Sequence, residues 1–449
     1  MKISSLILSS SDYYLVPIYL IIIYVVALII QSNNIQKFPE FKYFIQGLSF
    51  KLMGVSAFMI IYLFYYKGGD TINYFISTKA IGNLISQNFD RGWHIVFNTS
   101  SPLNDFSSFN GSTGLPMKYM WKDPSTFAVA RFTTPLYFIG SGSFIITSFL
   151  TSIISFIGVW KFYRLFNLLY PGNERALAYL ILFLPTLVFW GGGIMKDSYV
   201  LGATCWITFN FYRIFIERKK IILNSIFLII NLFIIINIKS YVIISLLPGM
   251  LLWLNSAYLK GINNSFSRFL LFPFFIIIIS FLGFFILNNL SSLMGVYGNV
   301  DTAIQQAQVI QDDLLREDQY GQNNYNIGEI DGSVSGLISI APIAIFTALF
   351  RPLFWEIGSP TMFISAFENL ILLVFVFILI IRVSPFKILT CLLSEPFLTY
   401  CFTFSIIFAF GVGIAGTNFG ALVRYKVPLI PFFFSMIFII FKLTRSKSI

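Results

Sequence analysis

The chain has 449 residues, of which 57% are hydrophobic, 18% are aromatic and only 11% are charged. This composition excludes an ordinary soluble domain, in which about 25% of the residues are charged. The net charge of +11 does not indicate a nucleic-acid partner, because cations that flank membrane spans are held by anionic lipid headgroups.

Long apolar runs occur throughout the chain, and eleven of them approach the ~20 residues that a helix needs to cross a bilayer. We therefore predict an all-α fold, a polytopic transmembrane helix bundle that forms a single integral membrane domain over residues 1–449. The predicted spans are 13–31, 46–66, 143–161, 174–191, 197–216, 221–237, 240–257, 267–287, 363–382, 397–414 and 427–443.

The charges predict how these spans are oriented. Arg218, Lys219 and Lys220 lie in the connection at 217–220, whereas the segment 301–331 is acidic. Cytoplasmic loops are enriched in Lys and Arg, so the first connection is predicted to be cytoplasmic and the second extracytoplasmic. Eleven spans then place the amino terminus outside and the carboxyl terminus inside a bacterial cytoplasmic membrane.

The first large extracytoplasmic loop is predicted at 67–142, and it begins with Gly-Gly-Asp at 68–70. A carboxylate beside flexible glycines at the membrane surface suits a general base, which makes Asp70 the candidate catalytic residue. The alternative is a turn in which Asp70 caps a helix that begins at Thr71.

Short apolar segments in the loops predict helices that do not cross the membrane. The segment 127–139 is too short to span and contains a proline, which favours a re-entrant or interfacial helix. The second large extracytoplasmic loop, at 288–362, contains an amphipathic helix predicted at 303–314 from its apolar spacing. A half-helix at 336–349 is predicted to enter the outer leaflet.

Three consecutive glycines, Gly191, Gly192 and Gly193, precede Lys196 and Asp197 between two predicted spans. Backbone N–H groups of such a turn at a helix start can bind a phosphate. Lys196 adds a cation that the topology of a short outer hairpin does not require. The alternative is a tight hairpin in which Asp197 caps the next helix.

Three further cations lie on the predicted outer side. Arg351 has the planar guanidinium that suits bidentate contact with a phosphate, although pairing with Glu356 is the alternative. Arg424 and Lys426 precede the last span on the predicted outer side, although cations are enriched on the cytoplasmic side. The alternative for them is contact with lipid headgroups.

Taken together, these residues predict a site for an anionic lipid headgroup at the outer membrane face. A polyprenyl-phosphate-linked saccharide fits, because its phosphate needs cations and its sugar transfer needs a base such as Asp70. No P-loop or other nucleotide motif is present. The predicted supporting residues are Arg131, Lys239, Glu356, Asn418 and Tyr425.

No cofactor and no metal site are predicted. The chain has one histidine, His94, and its three cysteines lack the paired spacing of a zinc site. A divalent cation held by Asp70 and other carboxylates stays open. The predicted partners are the lipid-linked saccharide and membrane lipid, with no nucleic acid.

The Gly-Gly-Asp-Thr-Ile-Asn-Tyr stretch at 68–74, directly after two spans, resembles the start of bacterial exopolysaccharide repeat-unit polymerases. The segments 349–356 and 418–428 look like elements of polytopic proteins from bacterial polysaccharide clusters. The resemblance covers about a quarter of the chain and implies a membrane glycosyltransferase, O-antigen-polymerase-like or GT-C-like, that uses lipid-linked donors. GT-C first loops often carry an acidic pair, and no second carboxylate stands beside Asp70 in the sequence.

Two other functions remain open. A transporter or flippase of lipid-linked oligosaccharide would also need cations near a phosphate, but its polar groups and broken helices belong near mid-membrane, often in two related halves. A non-catalytic membrane scaffold would need no cluster of outer cations.

Overall fold

The computed structural model describes residues 7–98, 102–259, 300–316, 323–328 and 334–446. These residues are mostly helical and contain no β-strand, which confirms the predicted all-α fold. In chain order the helices are α1 (Asp12–Asn34), α2 (Phe44–Ile60), α3 (Asp70–Gln87), α4 (Phe89–Phe97), α5 (Pro124–Ile139), α6 (Phe144–Leu169), α7 (Glu174–Ile181), α8 (Pro185–Trp190), α9 (Lys196–Phe211), α10 (Ile221–Lys239), α11 (Tyr241–Leu259), α12 (Val300–Leu314), α13 (Val334–Phe350), α14 (Pro360–Arg382), α15 (Pro385–Ser394), α16 (Pro396–Ala415), α17 (Phe419–Tyr425) and α18 (Ile430–Ser446).

Within the described residues, eight helical segments are long and apolar enough to cross a membrane, and each overlaps a predicted span. The chain is therefore a membrane protein with several transmembrane helices. The total of eleven spans stays a prediction, and the predicted span at 267–287 lies outside the described residues. The eight segments are Asp12–Asn34, Pro39–Tyr65, Phe144–Leu169, Ile221–Lys239, Tyr241–Tyr258, Pro360–Arg382, Pro396–Ala415 and Phe419–Arg445.

Two predicted spans are not single long α-helices. The segment 174–191 divides into α7 and α8, because Pro185 begins a new helix and the preceding Leu184 is extended. The segment 197–216 is covered by the 16-residue α9, which begins at Lys196, and then by a π-helical turn at Tyr212–Ile216. Neither segment contains one α-helix of the usual spanning length.

The shorter predicted elements are helical. The segment 127–139 lies in α5, and 336–349 lies in the 17-residue α13, which continues through Pro342. The segment 303–314 lies in α12, where Leu314 is buried and Asp312 is exposed, as an amphipathic helix requires. How deeply these helices enter the membrane stays a prediction.

The chain forms two compact units. Unit one comprises Met1–Phe209 and Phe227–Lys239, and unit two comprises Asn210–Ile226 and Ser240–Ile449. In unit one, α3 packs against α4 and α5, and α2 packs against α6 and α8. In unit two, α16 packs against α11, α13 and α18. The single membrane domain over 1–449 stays a prediction.

Candidate functional site

In unit one, Lys196 interacts with groups from two other segments that are far from it in the sequence. Its Nζ donates a hydrogen bond to Ser125 Oγ at 2.9 Å and lies 3.5 Å from Asp123 Oδ2. Asp70 is close enough for its charge to act on the Lys196 ammonium. We call Asp70, Asp123, Ser125 and Lys196 the lysine site.

Asp123 is held in the lysine site by the start of helix α5. As the N-cap residue, its Oδ1 accepts hydrogen bonds from the backbone N–H groups of Ser125 at 2.9 Å and Thr126 at 3.2 Å. Pro124 occupies the first helical position, which suits its fixed φ. The sequence interpretation missed Asp123, although Asp-Pro-Ser-Thr is a recognisable helix start.

Asp70 is placed by the glycine that precedes it. Gly69 has φ of +108°, and a Cβ at this position would lie 2.8 Å from the ring of Tyr62, so only glycine fits. Helix α3 begins at Asp70, one residue before the start that the capping alternative predicts. A carboxylate in the first turn of a helix interacts favourably with the helix dipole. Asp70 therefore supports the helix start, and its charge also favours the protonated form of Lys196.

The lysine site is accessible and charged. The side chain of Asp123 is 44% exposed and that of Lys196 is 21% exposed. Burial raises the pKa of Asp123, but the Lys196 ammonium and the hydrogen bonds from Ser125 and Thr126 outweigh it, so the pKa lies below its usual value. Burial lowers the pKa of Lys196. Asp123 opposes that shift, the Lys239 ammonium adds to it, and Asp70 opposes it less strongly. The site can thus present a carboxylate and an ammonium to one ligand.

The three glycines before Lys196 allow close packing. Gly191 and Gly192 donate their N–H groups to carbonyl oxygens of helix α8 at 3.1 and 3.3 Å. A Cβ at Gly193 would lie 2.2 Å from the ring of Phe58 on helix α2. All three glycines are buried. Because packing accounts for these glycines, their phosphate-binding role stays a prediction and adds nothing to the lysine site.

The sequence interpretation missed Lys51, which lies within the predicted span 46–66, as a structural residue. In the structure it is 3% exposed within helix α2. Its Nζ donates to the carbonyl oxygen of Gly191 at 2.6 Å and of Leu187 at 3.2 Å. A cation suits these carbonyls at the end of helix α8, where the helix dipole is negative.

Lys239 is paired with a buried carboxylate. Its Nζ lies 2.6 Å from Asp197 Oδ1, and the side chains are 7% and 1% exposed. Helix α9 begins at Lys196, earlier than the capping alternative requires, so Asp197 lies in its first turn. There Asp197 neutralises a cation on helix α10.

Arg131 is likewise paired within unit one. Its guanidinium lies 3.8 Å from Asp105 Oδ2, and both side chains are 4% exposed. Arg91 lies 3.7 Å from the other oxygen of Asp105. The sequence interpretation missed Asp105, which balances two cations of the first predicted outer loop.

In unit two, Arg351 forms the ion pair that the simpler sequence interpretation considered. Its Nε donates to Glu356 Oε1 at 2.9 Å and to Oε2 at 3.1 Å. The guanidinium carbon also lies 4.7 Å from the ring centre of Tyr325 and 4.9 Å from that of Phe419. The four side chains form a cluster that we call the arginine site.

Lys426 supports the arginine site from below the surface. It is 2% exposed, and its Nζ donates to Arg351 O and to Asn369 Oδ1, both at 2.8 Å. Asn418 caps helix α17 and donates to Asn324 Oδ1 at 2.9 Å, and these contacts hold the segment that carries Tyr325. Arg424 and Tyr425 lie half-buried on α17.

The predicted site residues thus form one group in each unit. In unit one the charge of Asp70 acts on Lys196, which contacts Asp123. In unit two Arg351 contacts Glu356 and Lys426. Arg131 and Lys239 have carboxylate partners of their own, so the cations have more anions beside them than the sequence interpretation assumed. Convergence of all the predicted residues on one cavity stays a prediction.

Comparison with known proteins gives no relative. No protein-family model matches the chain, and no curated protein and no solved structure match it. The functional argument therefore depends on the chemistry of the two sites.

Proposed function

We propose that this protein is a glycosyltransferase of a bacterial cytoplasmic membrane that polymerises polyprenyl-phosphate-linked sugars at the extracytoplasmic face. The lysine site is the observation that supports this most. It combines a partly exposed ammonium with carboxylates from two other segments, at the start of a helix in a membrane protein. A lipid-linked sugar phosphate needs both kinds of group in one place.

The chemistry is a substitution at the sugar. An acceptor hydroxyl attacks the anomeric carbon, the bond from that carbon to the phosphate oxygen breaks, and the lipid phosphate leaves with the electron pair. Asp70 takes the proton of the attacking hydroxyl. Lys196 stabilises the negative charge that develops on the departing phosphate. Asp123 and Ser125 hold Lys196 in position.

The arginine site is proposed as a second place for an anionic group. Contact with the rings of Tyr325 and Phe419 restricts the orientation of the planar guanidinium of Arg351, and the buried Lys426 fixes its backbone. A phosphate would compete with Glu356 for Nε and Nη2 of the guanidinium, which both donate to this carboxylate. Arg351 is therefore proposed to bind a phosphate, and on binding it would exchange its contact with Glu356 for one with the phosphate.

A flippase of lipid-linked oligosaccharide is the second candidate, and one observation favours it. Transporters use broken helices and buried charges inside the membrane. The break between α7 and α8, with the ammonium of Lys51 on the carbonyl oxygens at the end of α8, has this character.

Replacement of Lys196 tests the proposed phosphate contact. We expect Lys196→Met to weaken binding of a polyprenyl-phosphate sugar about 10–100-fold, since a hydrogen bond to a charged group contributes ~1.5–3 kcal/mol. Binding is measured with purified protein in detergent and a labelled lipid. Lys122→Met is the control, because Lys122 is an exposed lysine of the first predicted outer loop and has no contact with Lys196 among the described hydrogen bonds and ion pairs. Equal affinity in the Lys196 and Lys122 variants would contradict the proposal.

The proposed orientation has its own test. A cysteine introduced at Asp312, exposed on α12, should react with a membrane-impermeant reagent added outside whole cells. A cysteine at Lys219, which is 65% exposed in the basic connection, should react only after the membrane is opened. The reverse pattern would place the lysine site in the cytoplasm and exclude a donor that is used outside.

A further inference from the structure

Helix α4 carries three aromatic side chains in a row, and the two at its ends are mostly exposed. Phe89 is 67% exposed and Phe97 is 72% exposed. Trp93 lies between them, with its ring centre 6.2 Å from that of Phe89 and 5.7 Å from that of Phe97. Positions four residues apart lie on one side of a helix, so the three rings form a continuous stripe.

The opposite face of α4 is fixed to unit one. A Cβ at Gly92 would lie 2.4 Å from Ile85 of helix α3, so the two helices are in close contact there. Ile95 and Val96 are buried on the same face. Arg91 donates from Nε to Ser108 Oγ at 2.7 Å. Because these contacts set the rotation of the helix, the aromatic stripe cannot turn inward without breaking them.

The aromatic stripe is connected through helix α5 to the apolar helix α1. The ring of Trp93 stacks on Phe138 at 6.5 Å, and the next residue, Ile139, is 57% exposed. The carbonyl oxygen of Ile139 accepts a hydrogen bond from Tyr19 OH at 2.5 Å. Tyr19 belongs to α1, a strongly apolar helix of which only 6% is buried within the protein. Tyr19 lies about 10 Å along α1 from its first residue, within the predicted span.

We infer that α4 is an interfacial helix whose stripe of Phe89, Trp93 and Phe97 enters the lipid leaflet around the amino-terminal half of α1. Aromatic rings are favoured at the boundary between headgroups and acyl chains. The stripe has an apolar neighbour, because Trp93 contacts Phe138 and the next residue, Ile139, is bonded to α1. The carbonyl of Ile139 places the end of α5 at the depth of Tyr19 in the same leaflet.

Depth-dependent quenching of Trp93 tests this inference. The contribution of Trp93 is the difference in emission between the wild type and Trp93→Phe, both reconstituted in phosphatidylcholine vesicles. With bromine atoms near the headgroup end of the acyl chains, we expect most of this difference to be lost. Phe89→Ser/Phe97→Ser should remain folded, because both side chains are mostly exposed, and should show weaker quenching of Trp93 by the bromolipid.

A water-facing stripe would give the opposite result. The cleft of about 380 Å³ beside it also contains polar side chains, and it is lined by Asp90, Trp93, His94, Phe97 and Asn98. If bromolipid leaves the Trp93 emission unchanged while aqueous iodide quenches it, the inference is wrong. If, in addition, a soluble oligosaccharide protects Trp93 from iodide, the cleft binds sugar instead. Neither result depends on glycosyl transfer by the lysine site.

Discussion

Asp70→Asn should lower the rate of sugar transfer by about 10²–10⁴-fold, which is the usual contribution of a general base. The amide keeps the size of the side chain but cannot accept the proton of the attacking hydroxyl. Donor affinity should change little, because Lys196 keeps Ser125 and Asp123 as partners. The measurement is single-turnover transfer by purified protein at saturating donor.

Two control variants make the Asp70 result specific. Asp90→Asn removes an exposed carboxylate from the same loop and should leave the rate unchanged. Asp123→Asn removes the ion-pair partner of Lys196 and should weaken donor binding more than it slows the chemical step. A normal single-turnover rate in Asp70→Asn would remove Asp70 from the mechanism.

Lys239→Met should destabilise the protein by about 3–5 kcal/mol, because it leaves the carboxylate of Asp197 buried without its cation. The 2.6 Å pair and the near-complete burial of both side chains make this the most costly single charge removal that the described contacts predict. Asp197→Leu/Lys239→Met should recover most of that loss, because no charge then remains buried at the pair. Stability is measured by denaturant unfolding in detergent.

An exposed pair provides the comparison. Lys219 contacts Glu217 at 2.8 Å but is itself 65% exposed, so Lys219→Met should cost only about 0–1 kcal/mol. If Lys239→Met and Lys219→Met destabilise the protein equally, or if the double variant is no better than Lys239→Met, the buried pair does not have the role described for it.

The long apolar runs predict most of the fold because crossing a bilayer requires a length and composition that are visible in the sequence. The break at Pro185 was missed because only apolarity was counted, although proline removes a backbone donor and disfavours helix in the residue before it. The amphipathic helix α12 was predicted because its periodicity is local. Features that depend on one continuous segment, such as apolar length, periodicity and proline position, can thus be predicted without a structure.

The composition of the candidate sites could be predicted only in part. Asp70 and Lys196 were selected because each stands next to an apolar run where a charge is unusual. Asp123 belongs to the same site, and nothing in its linear distance from Asp70 indicates that they share a cation. The partners of Arg131 and Lys239 were missed for the same reason, since an ion pair between distant segments leaves no local pattern.

The glycines at 191–193 show a different limit. A missing Cβ serves both a phosphate-binding turn and a close helix contact, so the residue type alone does not distinguish them. The contact of Gly193 with Phe58 identifies packing as a sufficient reason for glycine there. Lys51 has a similar ambiguity. A lysine near the end of a span can mark the cytoplasmic side of the membrane, or it can donate hydrogen bonds to buried carbonyl oxygens, as it does here.

The most direct measurement reconstitutes the purified protein in vesicles with a polyprenyl-phosphate-linked sugar and follows both product formation and movement of the lipid between leaflets. If the protein is a glycosyltransferase, the wild type forms product, Asp70→Asn does not, and the lipid stays in its leaflet in both. The contradicting result is lipid that crosses the bilayer without product, at the same rate in Asp70→Asn, and that stops crossing in Arg351→Ala.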